Sequence, residues 1–159
     1  CVGVSVMVGQ NLGAGKPERA TAAAKYAIII NAAFMFLLGL AYFIFATPLL
    51  TVFGATGEWL AFGEQFMHIV PWSYAVIAAG MTMGFAMNGA GATRPGMYAA
   101  LVGMIGVQVG GSLLCVTVLG LGVSSIWFCI FISAFFTTGI DALFFLWGKW
   151  KKQKLHIDA

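Results

Sequence analysis

The sequence predicts an all-α, polytopic transmembrane helical bundle, and three observations carry that expectation. Hydrophobic residues make up 61% of the 159-residue chain, charged residues only 8%, and mean hydropathy is +0.96. A soluble domain carries about a quarter charged residues, so the solvent for this surface is a bilayer. Four stretches, near residues 26–46, 65–87, 97–119 and 125–147, are long enough to cross about 30 Å of hydrocarbon at about 1.5 Å per helical residue. All eight Lys and Arg residues then fall on one side of the membrane. None of the four stretches alternates with a period of two, and only helices and closed barrels satisfy their backbone polar groups in lipid.

The opening segment, "CVGVSVMVGQNL" (residues 1–12), reads as the last turns of a preceding helix. It starts at Cys1 inside an apolar run, without Met or a basic leader, so it is expected to be a piece of a longer protein rather than a signal peptide or a natural start. In the connection that follows, Gly13 and Gly15 are expected to end that helix with positive φ. Pro17 suits the first turn of the next helix, and Glu18 favours its positive end. The 26–46 stretch holds Asn31. Residues 47–64 form the second connection, with Glu58 and Glu64 and no base.

His68 follows Glu64 by one helical turn, and Pro71 is expected to bend the 65–87 helix and free carbonyl groups near the outer leaflet. Connection 88–96, "NGAGATRPG", repeats the pattern of the first: Asn, Gly89-Ala-Gly91, one base and Pro95. The 97–119 stretch carries Gln108 and Ser112, a short turn spans 120–124, and a basic tail fills 148–159.

Lys16, Arg19 and Lys25 lie in the first connection, Arg94 in the third, and Lys149, Lys151, Lys152 and Lys154 in the tail. That asymmetry places those loops and the C-terminus in the cytoplasm of a multi-pass protein of the plasma (bacterial inner) membrane. Trp59 and Trp72 on one side, with Trp147 and Trp150 on the other, fit interfacial belts.

Several function classes drop out. A net charge of +3 confined to loops does not suit nucleic acid. Cys1, Cys115 and Cys129 lack C-x-x-C spacing and read as packed or lipid-facing thiols, not as metal ligands. "VGQNLGAGKPERATAAAK" is no phosphate-binding loop: Gln10 stands where the first glycine belongs, and Pro17 replaces the hydroxyl residue after Lys16. The chain holds no H-E-x-x-H and no paired-aspartate motif, so no enzyme is expected.

Ionisable groups inside spans are costly and mark function by default. Asp141 is the clear case, eight residues before Lys149 and so about 12 Å from the basic edge. With Ser133 and Thr137 it forms a polar stripe, which either faces a cavity, where Asp141 carries a proton or meets a cation, or is capped within the bundle. Glu64 and His68 either release protons outward or simply begin an interfacial helix. Asn31, Tyr74, Gln108, Ser112 and Thr137 could bond substrate, or hydrogen-bond between helices. Met81, Met83 and Met87 offer an adaptable lining, or meet lipid. Gly80 with Gly84, and Gly106 with Gly110, are expected to give close helix-packing faces.

Two of these passages carry a resemblance. "VGQNLGAGKPERA" is similar to the loop after the second helix of a six-helix repeat in multidrug and toxic compound extrusion (MATE) transporters. "NGAGATRPGMYAAL", about 75 residues on, resembles the loop between the fourth and fifth helices of that repeat. The resemblance covers essentially the whole chain. It implies helices 8–12 of a twelve-helix, two-lobe transporter, the C-terminal lobe ending in a cytoplasmic tail.

The function so implied is secondary active efflux of small cationic or amphipathic substrates, driven by H+ or Na+ and using no other cofactor. The implied partners are membrane lipids and the missing N-terminal lobe. Sodium-coupled members carry a carboxylate on the helix bent at Pro71; here Ser73, Tyr74, Ile77 and Thr82 stand downstream, with no acid. That departure favours proton coupling through the N-terminal lobe. A lipid-linked sugar flippase of related architecture and a non-transporting half-sized membrane subunit are the alternatives. The first should show bases inside its spans.

Overall fold

The computed structural model describes residues 2–152; Cys1 and Lys154 lie outside the described residues. Its elements run α1 (Val2–Gly13), α2 (Pro17–Ile44), α3 (Ala46–Val52), α4 (Gly57–Ile69), α5 (Tyr74–Gly89), α6 (Arg94–Ala100), α7 (Gly111–Leu113) and α8 (Ser125–Trp147). A tight 3-10 turn, Val70–Ser73, joins α4 to α5, and wider i→i+5 turns cover Leu101–Gly110 and Leu114–Val118 on either side of α7. No strand occurs among the described residues. Four continuous helical stretches are long and apolar enough to cross a membrane: Pro17–Ile44, Gly57–Gly89, Arg94–Val118 and Ser125–Trp147. The protein is an all-α, multi-pass membrane bundle.

The helices begin earlier than the apolar stretches do. α2 starts at Pro17 rather than near residue 26, and the second span at Gly57 rather than near residue 65. Hydropathy marks only the hydrocarbon-embedded part, whereas Ala-rich "ERATAAAK" continues the helix through the headgroup layer from a proline at its first position. Much of the expected 47–64 connection is also helical. α3 folds back on α4, where Leu50 packs against Gly63. Ser124 donates a hydrogen bond to Gln65 Oε1 at 2.5 Å, tying the 120–124 turn to α4.

α5 is the central element, lying against α1, α2 and α8. Its Met83, Ala86 and Met87 share a core with Val4 and Val8 of α1, Ala20 and Ala24 of α2, and Phe145 of α8. Without a hydrophobic drive between helices in lipid, close approach of small residues supplies the packing. Gly80 lies against Thr138, as its spacing suggested. Gly106 and Gly110 do not behave so: the atoms nearest to them belong to their own segment, and Gly103 takes that place against Thr137. The wide turns rotate the glycine stripe, so spacing read at α-helical pitch points it the wrong way.

Outward, Ile29, Ile30, Phe34 and Leu37 of α2 are 61–68% exposed, a surface for lipid or further protein. Trp59, Trp72 and Trp147 are exposed. Trp150 is not. Gly148 adopts φ +68° and reverses the chain, so that Trp150 is only 2% exposed. Its ring stacks on Phe145 at 5.2 Å, and its indole N–H donates to the Phe145 carbonyl at 2.9 Å.

Candidate functional site

The polar stripe of α8 faces inward. Ser133 Oγ donates to Ile130 O (2.8 Å), Thr137 Oγ1 to Ser133 O (2.9 Å), and Thr138 Oγ1 reaches across to Val76 O of α5 (2.9 Å). Each hydroxyl thus spends its proton on a main-chain carbonyl. One turn beyond Thr137, Asp141 is 5% exposed and sits opposite Gly84 of α5. Both carboxyl oxygens lie 4.0 Å from the point that a Gly84 Cβ would occupy, so the glycine makes room for the acid. Asp141 Oδ1 is enclosed and has no hydrogen-bond partner among the described residues. α5 carries neither an acid nor a base, and α8 has no other charged residue. The carboxyl therefore lies at a helix–helix contact, within the bundle, with nothing on either helix to neutralise it.

A second polar contact joins α2 to α5. Asn31 Nδ2 donates to Thr82 Oγ1 at 2.9 Å, and Thr82 in turn donates to Ala78 O at 2.7 Å. Asn31 and Thr82 line a cavity of about 340 Å³ bounded by Val4 of α1 and Phe34 of α2. Interhelical hydrogen bonds in membranes contribute about 0.6 kcal/mol on average and at most about 1.7. A double-mutant cycle of Asn31→Ala and Thr82→Ala, read by reversible unfolding of the full-length protein, is expected to give a coupling energy of about 1 kcal/mol.

The remaining sequence candidates are dispersed. Tyr74 stands edge-on to Tyr42 with ring centroids 6.1 Å apart. Gln108 is half-buried on the third span, and Ser112 Oγ is enclosed without a partner. Glu64 accepts a hydrogen bond from Thr47 at 2.6 Å, while His68 meets the Phe43 ring at 4.9 Å. No ion pair joins these two among the described residues. Met83 and Met87 belong to the core, at 8% and 1% exposure, Met87 also touching a groove at the end of α5, and only Met81 of the three faces outward. Cys129 Sγ packs 3.9 Å from Cys115 Sγ, both as free thiols.

Pro71 lies in the 3-10 turn, and its carbonyl is pressed against Gly39 of α2. A Cβ at Gly39 would stand 2.6 Å from that oxygen. That turn is therefore seated on a neighbouring helix. In the two glycine loops, Gly15 (φ +69°) and Gly91 (φ +81°) supply the left-handed turns. Pro17 and Pro95 begin the next helices. Gly13 and Gly89 end their helices without positive φ, contrary to expectation for Gly13. Gly89 has a different duty: a Cβ there would collide with the Ser5 main chain of α1. Sequence reading missed Gly84 as the seat of Asp141 and Thr82 as the partner of Asn31: along the chain Gly84 reads as a helix-packing glycine, and Thr82 as a position without the acid a sodium site needs.

Comparison with known proteins places these features in a lineage. A family profile described as MatE matches residues 1–114. The probable multidrug resistance protein NorM of Thermotoga maritima is 24% identical over 152 residues, covering 96% of this chain and 33% of that protein. The chain thus spans about a third of the length of the curated relative it matches. No solved structure matches the chain.

Proposed function

Since the chain belongs to the MatE family, we propose that it forms part of one lobe of a secondary active antiporter. This antiporter expels small cationic or amphipathic compounds, with its basic loops and C-terminus in the cytoplasm. A relative that bears a multidrug-resistance name supports the substrate class. The observation that carries the coupling role is Asp141: a carboxyl enclosed between α5 and α8, its Oδ1 unpartnered, in a bilayer-spanning segment. Such a group is expensive to keep and marks an ion path. The coupling ion in this reading is a proton. A hard cation gathers several oxygens, and Asp141 is the one carboxylate on either helix.

Asn31 and Thr82 supply hydrogen bonds to substrate in the cavity between α1, α2 and α5. The 3-10 turn at Pro71, seated on Gly39, gives a place where the second span can pivot. Glu64 and His68, apart and both on α4 in the outer part of the second span, are interfacial in this account. A flippase for an anionic lipid-linked sugar fits less well. The bases of Pro17–Ile44 stay within its first nine residues, and Arg94 opens the third span, so among the described residues no cation lines the cavity between α1, α2 and α5.

The test is accumulation of a fluorescent lipophilic cation such as ethidium in efflux-deficient bacterial cells that express the full-length protein. Lower retention than in vector controls, restored by a protonophore, is the expected result. Retention equal to the control, with the protein present in the membrane, would sink the reading.

A further inference from the structure

On the basic face, at the ends of α5, α6 and α8, lies a groove of about 750 Å³ that the transport reading leaves unused. Thr93, Arg94, Tyr98, Trp147, Lys149 and Trp150 line it, and among the described residues no carboxylate does. A cationic substrate entering here meets two like charges, whereas an anion meets two bases. Arg94 and Lys149 are both exposed. The Lys149 ammonium stands 4.5 Å above the Trp147 ring centroid, which holds the charge at the groove wall. Trp150 floors the groove and is fixed by its bond to Phe145, so the floor is preformed.

The depth of the groove identifies its occupant. Arg94 opens one membrane-spanning stretch, and Trp147 closes another. The groove therefore lies where hydrocarbon gives way to headgroups. Trp147 (68% exposed) and Tyr98 (47% exposed) are the amphipathic rings that favour that layer. At helical spacing, each is continued toward the membrane interior by an exposed apolar residue, Leu143 on α8 and Leu101 on the third span. An anionic head above two aliphatic tracks describes a phospholipid better than a free anion.

We propose that this groove binds the phosphate headgroup of an anionic phospholipid. The Arg94 guanidinium pairs two phosphate oxygens through its planar fork, and the Lys149 ammonium adds a second point charge. The Thr93 hydroxyl donates to one of the same two non-bridging oxygens, which can accept more than one hydrogen bond. The acyl chains lie along Leu101 and Leu143. The site works whether or not the protein transports drugs, so its fate is separate from that of the efflux reading.

The test uses the purified full-length protein in neutral detergent, titrated with phosphatidylglycerol or phosphatidylcholine and read by native mass spectrometry. Preferential retention of phosphatidylglycerol is expected. Arg94→Gln and Lys149→Gln should each weaken it about fivefold, with Arg94→Lys milder than Arg94→Gln. Lys25→Gln, a base outside the groove, should leave it unchanged and controls for general surface charge. Equal retention of the two lipids, or wild-type phosphatidylglycerol binding by the Arg94→Gln, Lys149→Gln double variant, would overturn the proposal. So would displacement of the lipid by inorganic phosphate at equal concentration, which would mark a free-anion site.

Discussion

Asp141→Asn is expected to reduce drug efflux by the full-length protein to the vector background while leaving the fold intact. Asparagine has almost the shape of aspartate but carries neither charge nor an exchangeable carboxyl proton. The site gives the carboxyl little structural employment: Oδ1 has no hydrogen-bond partner, and Gly84 lies opposite. A charged residue at the centre of a membrane helix costs about 2.5–3.5 kcal/mol on insertion scales. Removing the charge should therefore leave thermal stability unchanged or raise it by about 1 kcal/mol. Loss of transport without loss of stability separates a coupling group from a packing group. Asp141→Glu, which keeps the carboxyl but crowds Gly84, should retain part of the activity. Efflux by the Asn variant at the wild-type rate would make Asp141 structural.

The second large effect is expected at Gly89, where α5 touches α1. A Cβ at Gly89 would run into the Ser5 main chain, and backbone cannot rotate away as a flexible side chain can. Gly89→Ala should therefore push α1 off α5 and open the core around Val8 and Met87, the two largest fully buried apolar side chains. The cost should approach or exceed about 3 kcal/mol, the upper range for overpacking. Gly13→Ala is the matched control. A Cβ there meets nothing within 4 Å, and its φ is not positive. That variant should be neutral or gain somewhat less than about 1 kcal/mol from a stiffer unfolded chain. Thermal melting of both full-length variants in detergent checks the pair. Equal stability of the two would show that the α1–α5 contact is looser than the geometry says.

The spans were legible because bilayer thickness imposes a length and a polarity that no soluble helix must meet, and residues 125–147 matched α8 at both ends. Helix starts were less legible. Hydropathy stops at the headgroups, whereas "ERATAAAK" goes on forming helix through them. Asp141 stood out as one charge in an apolar run, but its seat did not. Which residue of α5 faces it depends on the relative rotation and rise of two helices, which no local pattern encodes.

The same holds for Asn31 and Thr82, 51 residues apart in sequence and 2.9 Å apart in space. Trp150 shows the reverse error. Its place in "KWKK" reads as an exposed anchor, yet one left-handed glycine turns it into the core. The groove beside it draws on three elements and has no signature along the chain.

The most direct test of the account is proton movement by the full-length protein in proteoliposomes with an acidic interior. Adding a lipophilic cation outside should draw protons out and make the lumen more alkaline with the wild-type protein, and should do nothing with Asp141→Asn. A wild-type protein that takes up the cation without moving protons, or an Asn variant that moves them undiminished, would contradict the claim that this lobe couples efflux through Asp141.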